Sequence, residues 1–189
     1  PYTTLFRSVT SKTSQLFSSD FNGVRDELMF ELFYQTGIRL SELISLKDID
    51  VSEQHIKVLG KRSKERVIPI STDLSQAIQL FRRMKSKMNI DSPKLFTREN
   101  GKDLYPTFVY RKINQILSTL TTSDKKSPHV LRHTFATHLL NRGTGLETLK
   151  DLLGHANLSA TQVYTHNSFA QLTAVYAQAH PRGMQKSRS

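Results

Sequence analysis

Four side chains in the second half of the chain could act together on a phosphodiester. They are two imidazoles, His129 and His155, one guanidinium, Arg132, and one phenol, Tyr164. A phenol is a weak nucleophile at its ordinary pKa of about 10, so it needs cations or a base beside it. The imidazoles and the guanidinium could supply that help without a metal ion. The set indicates attack on a phosphate by tyrosine, although each residue alone also has an ordinary structural explanation.

The elements that would hold these groups can be read from the sequence around them. His129 and Arg132 lie three residues apart on a helix predicted to begin at Pro128, so they share a face. Alternatively, His129 caps this helix and Arg132 forms a salt bridge. Gly154 suits the left-handed position after a helix and would place His155 at a fixed corner; a plain loop histidine is the alternative. Tyr164 alone could equally be a core residue.

A second block, at residues 36–43, reads Thr-Gly-Ile-Arg-Leu-Ser-Glu-Leu. Gly37 permits a tight turn that places Arg39 just before a helix. The planar fork of an arginine suits two phosphate oxygens. Glu42, one helical turn later, could hold this guanidinium or cap its own helix. The alternative for Arg39 is a solvated loop residue.

A third block is a basic segment on a predicted hairpin. A hairpin tip that carries Lys61 could reach into a DNA groove. Its neighbours are candidates for phosphate contacts. The basic residues of this segment are Lys57, Lys61, Arg62, Lys64 and Arg66. The alternative is that they are solvated charges that protect an edge strand from aggregation, and it is strong for Lys64 and Arg66.

Composition narrows the class of protein. The chain has 189 residues and a formal net charge of +11, which favours a polyanionic partner such as nucleic acid. It contains no cysteine, which excludes disulfides, zinc–thiolate sites and thiol catalysis. No apolar run is long enough for a transmembrane helix, and no signal peptide is recognisable. We therefore expect no membrane association and a cytoplasmic, nucleoid-associated location.

Hydrophobic periodicity predicts an α+β domain that is mainly helical, with one small antiparallel β-hairpin or sheet. The predicted strands are residues 55–59 and 66–70, and Pro69 indicates an edge or an end of the second strand. The predicted helices lie at residues 22–37, 41–46, 72–84, 106–120, 128–143, 145–154 and 168–178. Residues 1–19 are expected to be a disordered or vector-derived tail, 20–180 the folded domain, and 181–189 a basic tail.

These motifs, taken in order, resemble the catalytic domain of the tyrosine recombinases, close to the Xer-type group. The resemblance rests on T-G-I-R-L-S-E-L, G-K-R-S-K-E-R, H-V-L-R-H-T-F-A-T-H, L-L-G-H and Y-T-H. It covers about residues 25–183. Ser63 departs from the glycine-containing turn that is common in relatives. Nothing in the chain matches the helical amino-terminal domain of Xer-type proteins, so we expect this domain to be absent.

The resemblance implies a role for each candidate residue. Tyr164 would attack the phosphate and form a 3′-phosphotyrosyl bond, and Lys61 would protonate the leaving 5′-oxygen. Arg39 and Arg132 would bind the nonbridging oxygens. His129 would assist proton transfer at the tyrosine, and His155 would bind the phosphate. The resemblance further implies supporting roles for Glu42 and His133.

The implied function is site-specific recombination of double-stranded DNA without metal, nucleotide or other cofactor, in chromosome dimer resolution or in mobile-element integration. The implied assembly is a homo- or hetero-tetramer on DNA, with the helix at residues 168–178 docked on a neighbouring subunit. Two alternatives remain at this point. One is relaxation of DNA by type IB topoisomerase chemistry, and the other is a DNA-binding fragment that is inactive in isolation.

Overall fold

A computed structural model describes residues 16–60, 65–154 and 166–179. The described chain is mainly helical, with one two-stranded antiparallel sheet, as the sequence predicts. The helices are α1 (Phe21–Thr36), α2 (Leu40–Ser45), α3 (Thr72–Lys87), α4 (Pro106–Leu120), α5 (Pro128–Asn141), α6 (Leu146–Leu153) and α7 (His166–Ala179), with a 3₁₀ turn at Asp48–Asp50; the strands are β1 (His55–Leu59) and β2 (Glu65–Pro69).

Helix α1 is the centre of the domain. Sequence periodicity indicates one apolar stripe, yet the structure buries this helix on almost every side, including Met29, Phe30 and Phe33 at 0% exposure. Because α3, α4 and α5 pack around it, most of its charged side chains are buried together with its apolar ones. The Asp20 side chain caps its first turn by accepting a hydrogen bond from the Gly23 N–H at 2.7 Å.

The end of α1 is a left-handed turn at Gly37, whose φ is 60°. A Cβ at this position would lie 2.6 Å from Cδ1 of Phe135, so both the backbone conformation and the packing require glycine. The turn leads through the buried Ile38 to Arg39, the N-cap of α2. It therefore fixes where Arg39 enters the site.

The hairpin pairs His55 with Pro69 and Val58 with Arg66. Strand β2 ends at Pro69, in agreement with the prediction. Alternation along β2 places Arg66 on the same inward side as Ile68, and both side chains are buried. The hairpin thus brings a positive charge into the interior.

Helix α7 packs against β2 and α5 of its own chain. Leu172 and Tyr176 are buried, and the Tyr176 hydroxyl donates a hydrogen bond to Oε1 of Gln35 at 3.3 Å. The Ser71 hydroxyl donates to the same oxygen at 3.0 Å. The predicted amphipathic helix is confirmed, while its docking on a neighbouring subunit stays a prediction.

Candidate active site

Arg39 is held by Glu42 and by the end of α6. Its backbone N–H donates to Oε2 of Glu42 at 2.8 Å, and its Nη1 donates to Oε1 at 2.8 Å. Glu42 therefore caps its helix and holds the guanidinium at once, although sequence reasoning offered these as alternatives. Nη2 of Arg39 donates to the Gly154 carbonyl at 2.9 Å. With 29% of its side chain exposed, Arg39 keeps N–H groups for a ligand.

Arg132 projects from α5 toward the same place. Its Nη1 donates to the Gly37 carbonyl, and its Nη2 donates to the Leu153 carbonyl at 2.6 Å. Burial lowers the pKa of Arg132 to about 10, and the positive charges of Arg39 and Arg66 act in the same direction while Glu42 opposes them. The side chain remains protonated at neutral pH and lies among other cations.

Arg66 and Glu42 form a buried pair, each with a side chain 3% exposed. Both oxygens of Glu42 accept from the guanidinium, from Nη1 at 2.7 Å and from Nη2 at 2.8 Å, while Nε donates to the Leu152 carbonyl at 2.8 Å. Burial alone would raise the pKa of Glu42, but hydrogen bonds and charge from Arg66, with hydrogen bonds from Arg39, lower it to about 2.

The prediction that Arg66 contacts DNA is corrected by this geometry. A guanidinium so deeply buried, with three hydrogen bonds to protein atoms, is not available to a phosphate on the surface. Its description as a solvated charge is equally wrong. Lys57, on the same hairpin, is half exposed and forms an ion pair with Glu65 at 3.2 Å.

Three consecutive carbonyls at the end of α6 each receive one of these arginines. Leu152 accepts from Arg66, Leu153 from Arg132 and Gly154 from Arg39. The last carbonyls of a helix lack partners within the helix and carry its negative dipole, so guanidinium groups suit them. Sequence analysis expected the corner at Gly154, and its φ of 64° confirms it, but it missed the carbonyls as anchors.

Two of the three histidines on α5 lie in its first two turns, close to Arg132 in the sequence. His129 is exposed in the first turn, three residues before Arg132, and His133 is exposed beside it. The proposed roles of Lys61, His155 and Tyr164, and the DNA contacts of Arg62 and Lys64, fall outside the described residues. The structure therefore brings together Arg39, Glu42, Arg66 and Arg132 around the end of α6 at Gly154, the residue that precedes His155 in the sequence.

Within residues 16–60, 65–154 and 166–179, no three His, Asp or Glu side chains cluster in a way that could hold a metal ion. In the same ranges, no helix is both long and apolar enough to cross a membrane.

Comparison with known proteins assigns the family. Residues 10–171 match the model of the phage integrase family. A tyrosine recombinase XerC of Staphylococcus haemolyticus is 42% identical over 187 residues, which are 97% of this chain and 61% of that protein. A XerC of Chlorobaculum parvum is 38% identical over 170 residues, 85% of this chain and 51% of that protein. The chain thus spans between half and two thirds of the length of these relatives.

Solved structures agree on the fold. The XerA recombinase crystal structure matches with a TM-score of 0.67 and 28% identity, over 96% of this chain and 63% of that one. XerH bound to its difH substrate in a pre-cleavage complex matches with a TM-score of 0.71 at 22% identity, over 93% of this chain and 52% of that one. The arginine cluster, the helical fold with its hairpin and the sequence matches all point the same way: this chain belongs to the phage integrase family, as a catalytic domain of the Xer tyrosine recombinase type.

Proposed function

We propose that this chain cuts and rejoins double-stranded DNA at specific sites through a 3′-phosphotyrosyl intermediate. The observation that carries the proposal is the convergence of Arg39 and Arg132 at the end of α6, where Gly154 precedes His155 in the sequence. Together with Arg66 and Glu42 they leave two positive charges in excess. Such an excess suits a phosphodiester whose negative charge grows in the transition state.

The proposed step is an exchange of one phosphoester for another. The Tyr164 oxygen attacks phosphorus and a bond forms to the DNA 3′-phosphate, while the bond to the 5′-oxygen breaks. The phenolic proton leaves with help from His129, and Lys61 protonates the departing 5′-oxygen. Arg39 and Arg132 bind the nonbridging oxygens, with His155 as a further donor. Because the new bond preserves the phosphoester, rejoining is the reverse reaction and requires no nucleotide.

The relatives support recombination as the use of this chemistry. The matched proteins are named tyrosine recombinases, and XerH is described with difH DNA before and after cleavage. For this chain we accordingly propose duplex DNA as the partner, a tetramer as the working assembly, and docking of α7 on a neighbouring subunit within it. Chromosome dimer resolution and mobile-element integration would use the same strand exchange.

A suicide substrate tests the proposal directly. The probes are the palindromic difH duplex and a pool of duplexes with randomised sequence, each nicked so that the short cleaved strand diffuses away. We expect wild-type protein to form a protease-sensitive covalent adduct in the presence of a metal chelator, and Tyr164→Phe to form none. Tyr110→Phe is the matched control, since Tyr110 is an exposed tyrosine on α4, and it should form the adduct normally.

Two results would contradict the proposal. One is the absence of any adduct with wild type on both probes, and the other is an adduct that persists in Tyr164→Phe. Relaxation of a supercoiled plasmid without any preferred cleavage site would instead favour topoisomerase chemistry over recombination.

A further inference from the structure

Arg66 connects three elements of the chain. It lies on β2, its guanidinium binds both oxygens of Glu42 on α2, and its Nε binds the Leu152 carbonyl at the end of α6. A two-point contact between a guanidinium and a carboxylate fixes the plane of both groups. Since the pair is 3% exposed on each side, water does not compete effectively for these hydrogen bonds.

The carboxylate that Arg66 fixes is also the one that holds Arg39. Oε1 of Glu42 accepts from Nη1 of both arginines, at 2.7 Å from Arg66 and 2.8 Å from Arg39. Oε2 likewise accepts from Arg66 Nη2 and from the Arg39 backbone. Any rotation of the Glu42 carboxylate would therefore move the Arg39 guanidinium. Arg66 sets this rotation from the buried side.

Arg66 also forms the surface on which the turn at Gly154 rests. A Cβ at Gly154 would lie 3.0 Å from Nη1 and 3.1 Å from Cδ of Arg66. The Gly154 carbonyl is the second anchor of Arg39, and the residue that follows is His155. The same side chain thus supports both anchors of Arg39 and the backbone that leads to a proposed phosphate ligand.

We infer that Arg66 is a positioning residue for DNA cleavage: by holding the Glu42 carboxylate and the end of α6 in place, it orients Arg39 and the Gly154 turn toward the scissile phosphate. The inference rests on the proposed function. In this role Arg66 does not touch DNA but holds Glu42 and the end of α6 from the interior. Substitution of Arg66 should therefore change the rate of cleavage and leave the affinity for DNA nearly unchanged.

The chain offers a matched control for this role. Arg82 on α3 is less deeply buried than Arg66, and it donates through Nε to Oδ1 of Asp48 at 3.0 Å and through Nη2 to the Asp48 and Val51 carbonyls. Like Arg66, it therefore binds one carboxylate and backbone carbonyls, but these partners belong to residues other than those that Arg66 binds. Replacing either arginine by lysine keeps the charge and removes the planar fork.

The experiment compares Arg66→Lys with Arg82→Lys on the nicked duplex that wild type cleaves best from a randomised pool. We measure adduct formation at saturating protein, the dissociation constant and the melting temperature. We expect Arg66→Lys to cleave about 10- to 100-fold more slowly with its dissociation constant within about 3-fold of wild type. Arg82→Lys should cleave within about 2-fold of the wild-type rate even where it is destabilised.

A second measurement does not depend on cleavage. In protein with isotope-labelled arginine, restricted rotation of the Arg39 guanidinium gives separate NMR signals for its Nη protons, assigned through their loss in Arg39→Lys. We expect these signals to merge or broaden in Arg66→Lys and to persist in Arg82→Lys. Arg66→Met, which removes both charge and fork, should broaden them further if it folds; the lysine variant suffices if it does not.

The outcomes separate this inference from the function on which it rests. If wild type cleaves and Arg66→Lys cleaves equally fast, or loses affinity in proportion to rate, or is matched in rate by Arg82→Lys, the positioning role is wrong and the proposed function stands. If wild type forms no adduct while the Arg39 signals respond to Arg66→Lys, the proposed function fails and the structural coupling stands. Unchanged Arg39 signals would overturn the coupling itself.

Discussion

At the residue scale, the site depends on one carboxylate that serves two cations. Glu42 is the negative charge among Arg39, Arg66 and Arg132, and it accepts hydrogen bonds from two guanidinium groups and one backbone N–H. Without Glu42, three positively charged side chains would lie close together and partly buried from solvent. Removal of one member of a buried ion pair is costly because the remaining charge loses its partner.

Glu42→Gln should show this dependence in both stability and its response to pH. The low folded pKa of Glu42 means that its stabilisation is present above an unfolded pKa of 4.5 and is lost as the pH falls toward about 2. The pKa difference corresponds to about 3 kcal/mol. We expect Glu42→Gln to lower the free energy of unfolding by about 3–5 kcal/mol at neutral pH and to flatten its decrease in acid.

The measurement is urea unfolding at neutral pH and at about pH 3. Asp124→Asn removes an exposed carboxylate in the loop before α5. It should change neither the free energy of unfolding at neutral pH nor its decrease in acid appreciably. If Glu42→Gln kept the full acid dependence of wild type, the assignment of this dependence to Glu42 would be wrong.

At the element scale, two left-handed turns define the site. The turn at Gly37 ends α1 and gives its carbonyl to Arg132, and the turn at Gly154 ends α6 and gives its carbonyl to Arg39. Each arginine is thus anchored to a helix end distant in sequence. Rigid helix ends hold a side chain more accurately than long loops do.

A series of glycine-to-alanine substitutions tests the turn at Gly37. Gly145→Ala should be nearly neutral because Gly145 has a negative φ and open space around it. Gly143→Ala should cost about 1 kcal/mol, since its φ is +84° but nothing lies within 4 Å of the added Cβ. Gly37→Ala adds a clash with Phe135 to the strain, so it should cost about 1–3 kcal/mol more. Thermal unfolding of the three variants gives the order of their stabilities. Equal losses of stability in Gly37→Ala and Gly143→Ala would contradict the clash with Phe135.

At the scale of the whole molecule, charge and shape act together. The chain carries +11, and the proposed DNA surface includes Lys57 on the exposed side of the hairpin. In this single chain, α7 lies against its own core through Leu172 and Tyr176. Because the net charge is strongly positive, we expect phosphate contacts to dominate the binding of DNA.

We expect affinity for duplex DNA to fall steeply with salt, which fluorescence anisotropy over a range of salt concentrations measures. Each phosphate contact adds about 0.9 to the slope of log affinity against log salt. Lys57→Ala should reduce this slope by about 1, whereas Lys94→Ala, which removes a comparable ion pair with Asp103, should leave it unchanged. An affinity that is constant from low to moderate salt would rule out phosphate-dominated binding.

Much of the fold and of the chemistry follows from local sequence. Prolines at the starts of α4 and α5, glycines at the ends of α1 and α6, and alternation in the hairpin are local signals, and each marks its element within a few residues. Arg66 carries a signal of the same kind, since alternation puts it on the side of Ile68. The prediction that Arg66 contacts DNA is wrong because it rests on charge alone, and a positive charge is more often exposed than buried.

Capping, periodicity and turn preferences act over a few residues, so the amino acids alone set the residue types available for chemistry and the helices and hairpin that carry them. Which arginine faces a ligand and which is a support depends on tertiary contacts. Arg39 is 29% exposed and Arg66 only 3%. Alternation in β2 indicates the face on which Arg66 lies, but its partners come from α2 and α6, which are distant along the chain, so local sequence does not give them.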